Sequence, residues 1–216
     1  SAGAFSDVTE LYDVLESGAC MAEERGPVLV FHKGRRFKRV LVPGFNTTAA
    51  RVLTLYDATL EKIEASFDTI LARVTSAESE AGLLVSEDQM CISEELDRVD
   101  LGAWWRARTN LPLPLGIDVV KRSLDLELKK SIHRVFRRSI EYALTNSDEV
   151  YAYAKRFSRN VGESQGKDFV ATFVNHFTLE LGERGKSALA LFLKECHYCG
   201  GFTHVPDVRF INGVCE

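Results

Sequence analysis

The chain has 216 residues, of which 45% are hydrophobic and 27% charged, and a formal net charge of -4. That length buries roughly 70% of the unfolded surface, enough for one large domain or two lobes, and the composition is ordinary for a globular protein. The acidic balance gives no general attraction to nucleic acid or anionic lipid, and no apolar run approaches the roughly 20 residues of a membrane span, so a cytoplasmic protein without nucleic-acid or membrane partners is expected.

In chain order, the first strong local signal is a cluster of five cations around an aromatic, Lys33-Gly34-Arg35-Arg36-Phe37-Lys38-Arg39. It reads as a solvated turn at a crossover rather than a nucleic-acid patch, because the whole chain is acidic. Arg39 to Val42 follows as a strand. It ends in Pro43-Gly44, and Thr47 and Thr48 then open a helix expected to run from Thr48 to about Ala65. Free N–H groups at a helix start carry partial positive charge, and threonine hydroxyls add donors beside them, so this turn suits a carboxylate or polyol. Thr47 is also a good plain N-cap. A second strand is expected over Phe67 to Leu71, a short helix over Arg73 to Glu80, and a buried third strand over Gly82 to Val85. In an open α/β sheet ligands lie beyond the carboxyl ends of the strands, so Thr47, Thr48, Ser86 and Glu87 are expected to face one cleft.

Further on, Trp104 and Trp105 precede the ladder Leu111-Pro112-Leu113-Pro114-Leu115-Gly116. Either tryptophan could stack on a flat ligand, or one of the pair could be core. From Ser123 the period becomes helical, with Leu124, Leu128, Ile132, Val135, Phe136, Ile140 and Leu144 on one stripe. Asn146 and Glu149 fit a variant capping box, and helices are expected over Asp168 to Phe177 and Ser187 to Cys199. His133 and His176 read as structural, His176 being the better candidate for a base if the fold brings it to the cleft. Gly182 to Ser187 lacks the spacing and preceding strand of a phosphate loop, and Gly182 is read as a C-cap. Five cysteines at irregular spacing do not form a secreted disulfide framework, and Cys196-His197-Tyr198-Cys199 lacks the second ligand pair of a zinc site.

Taken together, Pro43-Gly44 with Thr47-Thr48-Ala49, the Trp104-Trp105 pair and the Leu-Pro ladder resemble the 1,4-dihydroxy-6-naphthoate synthase family of the futalosine route to menaquinone. Glu16-Ser17-Gly18-Ala19, Gly26-Pro27-Val28-Leu29-Val30, Val174-Asn175 and Leu179 to Gly182 with Gly185 extend the resemblance over nearly the whole chain. It implies a lyase that converts cyclic dehypoxanthine futalosine to 1,4-dihydroxy-6-naphthoate without metal or other cofactor. It also implies that Ser1, Thr47, Thr48 and Ala49 bind substrate. The family's catalytic histidine corresponds to Ser86, with Glu87 next to it. An unactivated serine is far too weak a base, so the pair Ser86 and Glu87 is assigned the catalytic position, with Glu87 either serving as base or supporting Ser86 from behind. A catalytically impaired carboxylate-binding protein of the same fold and a chorismate dehydratase-like sister enzyme are the alternatives.

The resemblance implies a type II periplasmic-binding-protein-like α/β fold of two lobes. Residues 1–36 and 121–216 are expected to form a helix-rich outer lobe and residues 37–120 an inserted α/β lobe. Set against the family pattern, the outer lobe is expected to be truncated, with unpaired strand edges and an exposed helix face, unless a second copy completes it as a homodimer.

Overall fold

A computed structural model describes residues 1–157, 163–200 and 204–213. After a 3-10 turn over Ala2–Val8, the chain forms β1 (Tyr12–Leu15), β2 (Cys20–Ala22), β3 (Val28–His32), β4 (Arg39–Val42), α1 (Thr48–Tyr56), β5 (Glu61–Glu64), α2 (Ile70–Thr75), β6 (Ala81–Leu84), β7 (Leu96–Asp100) and α3 (Leu101–Thr109). β8 (Leu113–Gly116) and β9 (Val119–Lys121) follow, then α4 (Leu126–Thr145), α5 (Ser147–Ala154), α6 (Glu163–Phe173), α7 (His176–Leu179), α8 (Gly182–Tyr198) and β10 (Phe210–Ile211).

The inner sheet has five strands in the order β5-β4-β6-β3-β7. β4 is parallel to β5 and β6, whereas β3 is antiparallel to β6 and β7. β6 is buried along its whole length, as a strand covered on both faces must be. Gly82 sits there because a Cβ would come within 2.4 Å of Ile70 in α2, which packs directly on the strand. β3 is hydrogen-bonded into the middle of this sheet, so the sheet draws on residues ahead of the expected 36/37 division as well as behind it.

Two antiparallel strands connect this sheet to the rest of the molecule. The chain goes in through β2 and returns through β8, with Cys20 opposite Gly116 and Ala22 opposite Leu113. The outer sheet is small, in the order β10-β1-β9. One edge of β1 is covered by β10, which runs parallel to it with Val14 opposite Phe210. Helix α4 exposes part of the expected apolar stripe, since Leu128, Val135 and Leu144 are 43%, 70% and 41% exposed, whereas Ile132 and Phe136 pack against Leu15, Val120 and Ile211. Its inner face is polar at two buried points. Lys129 donates to Asp13 at 2.7 Å, beside an Arg122–Asp13 bond of 2.8 Å, and His133 meets Ser17 at 3.0 Å.

Several elements differ from the sequence reading. The first helix ends at Tyr56, because Asp57 takes an extended conformation and Glu61–Glu64 pairs with β4 as the edge strand, where the charged residues Glu61 and Glu64 face solvent easily. The helix expected over Asp168 to Phe177 breaks at Asn175, which caps α7 by accepting from Phe177 N at 3.0 Å and donates to Met21 O at 2.9 Å. Asn146 makes no cap for α5 and instead donates to Tyr142 O at 2.9 Å, back into α4. Gly182 opens α8, at φ +59°, instead of closing the preceding helix. Trp105 is fully buried, donates to Pro112 O at 3.1 Å and meets Phe192 edge-on at 5.8 Å. Burial pushes the Cys196 thiol up to about 12, which leaves it an inert core residue. Cys215 lies outside the described residues.

Candidate active site

Because β4 and β6 are adjacent and parallel, the loops that follow them lie side by side at the carboxyl end of the sheet. The loop after β4 turns at Gly44, whose φ of +151° suits a residue without a Cβ, and delivers the start of α1. Thr47 caps that helix: its hydroxyl donates to Gly44 O at 2.7 Å and accepts from Ala50 N at 3.1 Å. The Thr48 hydroxyl accepts from Gly3 N at 3.0 Å and donates to Leu115 O at 3.2 Å. Since its one hydrogen is spent on Leu115, the Ser1 hydroxyl, 3.2 Å away, is the donor in their contact. Ser1 Oγ in turn accepts from Thr48 N at 2.8 Å.

These bonds leave one amide over. Of the four N–H groups that open α1, Thr48 N is taken by Ser1, Ala50 N by the Thr47 side chain and Arg51 N by Thr47 O at 3.0 Å. The Ala49 N–H meets no group among the described residues, and Ala49 lines a cavity of about 420 Å³. An oxygen of a ligand placed there would complete the helix start and sit in the field of the helix dipole. Gly3 allows Ser1 to reach this point, because a Cβ on it would lie 2.7 Å from Thr48 N.

The remaining wall of the cavity is largely apolar. Val85 and Gln89 come from the loop after β6, Cys20, Leu115 and Gly116 from the two connecting strands, Gly26 and Pro27 from the segment between β2 and β3, and Phe173 from the end of α6. Burial pushes the Cys20 thiol up to about 11, so it stays protonated near neutral pH. Gly26 is held by Asp100, whose Oδ1 accepts from Gly26 N at 3.0 Å, Gly102 N at 2.8 Å and Ala103 N at 3.0 Å. One carboxylate oxygen thus caps α3 and fixes the cavity wall.

The fold brings Ser1, Thr47, Thr48 and Ala49 together on this cavity. Ser86 and Glu87 stand in the adjoining loop, where Val85 and Gln89 supply the wall. Ser86 caps the 3-10 turn Glu87–Met90 and its hydroxyl donates to Asp88 Oδ2 at 3.0 Å. His176 opens α7 on the surface, its ring centroid 4.0 Å from that of Phe177, and is not among the cavity residues. Neither is Trp104, which meets Tyr56 edge-on at 5.5 Å. Gln89 and Phe173 had no sequence signal; Gly26 lay in the Gly-Pro segment but without any sign of its role. Among the described residues no group of three or more His, Cys, Asp or Glu side chains is arranged to hold a metal ion. No described helix is long and apolar enough to cross a membrane.

Residues 1–198 match the family described as menaquinone biosynthesis. A Thermus thermophilus protein named 1,4-dihydroxy-6-naphthoate synthase is 35% identical over 98% of this chain and 79% of its own length. A crystal structure of an Archaeoglobus fulgidus protein superposes with a TM-score of 0.86 at 33% identity, covering 93% of this chain and 77% of that one. A Candida albicans protein described as having the generic periplasmic binding protein fold reaches a TM-score of 0.62 at 11% identity over 100% of this chain and 79% of its own, a likeness of fold alone. The chain belongs to the menaquinone-biosynthesis family, on a periplasmic-binding-protein-like α/β fold.

Proposed function

We propose, taking that family membership as premise, that the chain is a carbon–carbon lyase acting on cyclic dehypoxanthine futalosine and releasing 1,4-dihydroxy-6-naphthoate. The observation that carries this reading is the single unused amide of Ala49 at the head of α1, set in a largely apolar cavity beside Ser1, Thr47 and Thr48. A flat ring system suits the apolar wall, and an oxygen substituent suits the helix start. In the reaction a base removes a proton, the carbon–carbon bond to the leaving sugar-derived portion breaks, and the electrons settle in a ring that becomes aromatic. Thr47 and Thr48 hold the α1 turn in shape, Ser1 completes it, and the Ala49 N–H takes the ligand oxygen.

The base is assigned to the loop after β6. Ser86 keeps an ordinary hydroxyl engaged with Asp88, so the proton is taken by Glu87, either directly or with Ser86 between it and the substrate. A second reading is favoured by one observation: no histidine is among the described residues that line the cavity. On that reading the protein binds a small aromatic carboxylate without turning it over. The experiment is to incubate the chain with cyclic dehypoxanthine futalosine and follow 1,4-dihydroxy-6-naphthoate by mass. Product above the protein-free control supports the lyase; a folded sample that binds the naphthoate and yields no product overturns it in favour of the binder.

A further inference from the structure

A second cavity, of about 580 Å³, adjoins the first, and Gln89 and Phe173 line both. Its other walls include Arg25, Arg98, Asp100 and Thr172. The sheet register explains why these meet. Val28 is opposite Asp100 and Val30 opposite Arg98, so Val28, Arg98 and Asp100 lie on one face of the β3–β7 pair, and Arg25 lies three residues ahead of Val28.

The two arginines differ from most cations around them. Arg39 is held by Glu80, Arg73 by Glu78, Arg108 by Glu195, and Arg106 and Arg184 both by Glu23. The side chains of Arg25 and Arg98 have no hydrogen bond or ion pair among the described residues. The one carboxylate in this wall among the described residues, Asp100, has an oxygen saturated by three backbone N–H groups, so it is tied to the backbone and not to either guanidinium. Gln89 donates to Leu84 O at 3.1 Å, which fixes its carboxamide at the boundary between the two cavities.

We propose that Arg25 and Arg98 form an anion-receiving antechamber to the Ala49 cavity and select ligands that carry a carboxylate on an aromatic ring. The ring lies past Gln89 and Phe173 toward Ala49, and its carboxylate rests between the two guanidiniums. This deepens the lyase reading by naming the determinant that makes the site prefer an acid over the corresponding neutral ring. Arg25 and Arg98 are positioning residues: they hold one end of the ligand and leave the reacting atoms to the inner cavity.

The test compares binding of 1,4-dihydroxy-6-naphthoate with binding of 1,4-dihydroxynaphthalene, which lacks the carboxylate, in the parent chain and in Arg25→Gln, Arg98→Gln and the double variant. Both positions are exposed, so the variants are expected to fold as the parent does. The expected result is that the parent prefers the carboxylate-bearing ring, that each single variant binds it about tenfold more weakly, and that the neutral ring is bound equally by all four proteins. Affinity for the naphthoate is also expected to fall with added salt in the parent and to lose that dependence in the double variant. If the naphthoate does not bind the parent, or binds the double variant equally well, the antechamber is overturned, whatever the turnover assay gives. If binding depends on the arginines while no product forms, the antechamber stands and the lyase reading falls.

Discussion

At the scale of single residues, the two threonines of the α1 turn have different duties although they are adjacent. Thr47 is a cap whose hydroxyl serves one helix amide, and losing it costs about 1 kcal/mol. Thr48 is buried and its hydroxyl serves Gly3 N and Leu115 O together, so Thr48→Val strands two buried groups and is expected to cost about 2–3 kcal/mol. Urea denaturation of the two variants, Thr47→Ala and Thr48→Val, is expected to rank them in that order. The catalytic assignment is tested at the same scale. Glu87→Gln is expected to lower turnover by about a hundredfold or more with little change in KM. Unchanged turnover in Glu87→Gln, together with its abolition in Ser86→Ala, would refute that assignment. The start of α1 was legible in the sequence because a Pro-Gly turn followed by threonines encodes a cap within a few residues. That the Ala49 amide alone remains unused was not legible, because the neighbouring Thr48 amide is taken by Ser1, which comes from another part of the chain.

At the scale of elements, the junction of β7 and α3 controls the cavity wall from a distance. Asp100 caps α3 and holds Gly26, and the backbones touch so closely that a Cβ on Gly102 would lie 2.6 Å from Gly26 N. Gly102→Ala must therefore push the Gly26-Pro27 segment away from α3. The expected outcome is weaker binding of the naphthoate, read by titration, with secondary structure by circular dichroism retained. Asp100→Ala is expected to cost about 1–2 kcal/mol through the lost cap and to weaken binding in the same direction. Strands β4 and β6 were legible from their β-branched and apolar runs. β5 was not, since Glu61-Lys62-Ile63-Glu64 has no buried face of its own and is recruited as a strand by the free edge of β4.

At the scale of the whole molecule, α4 is fastened to β1 by buried polar groups that make stability depend on pH. Ser17 donates its one hydrogen to Leu179 O at 2.8 Å, so in their shared contact His133 Nε2 is the donor and Nδ1 is left bare. Protonation would place a charge and a new N–H where no hydrogen-bond partner stands among the described residues. Burial, with some repulsion from Arg137, accordingly lowers the His133 pKa from its ordinary 6.5. The unfolded chain then takes up a proton near pH 6.5 before the folded one does, and stability is expected to fall as pH drops below about 6.5. A urea midpoint measured from pH 8 to pH 5 checks this, and His133→Gln is expected to flatten the slope.

Asp13 acts in a lower window. Burial works to raise its pKa, but hydrogen bonds from Lys129 and Arg122 outweigh burial and hold it below its ordinary 3.8. A carboxylate depressed in the folded state contributes stability that is complete above its unfolded value and is lost as pH falls through the folded one, so the Asp13 contribution is expected to disappear only below about pH 4. Asp13→Ala, which leaves Lys129 buried beside no carboxylate, is expected to cost about 3–5 kcal/mol at neutral pH.

By itself the sequence determined the features written within a few neighbouring residues: the capped turn at Thr47, the buried strands on either side of it, the amphipathic α4, and a family resemblance that points to an α/β fold of the binding-protein kind. Only the tertiary structure decided that β3 pairs between β6 and β7, that Phe210–Ile211 covers the edge of β1, and that Gly26, Gln89 and Phe173 close one cavity over Ala49. The physical reason is range. Capping and periodicity are local and leave their mark on adjacent side chains, whereas strand partners and cavity walls depend on which distant surfaces bury each other, a choice that no single segment encodes.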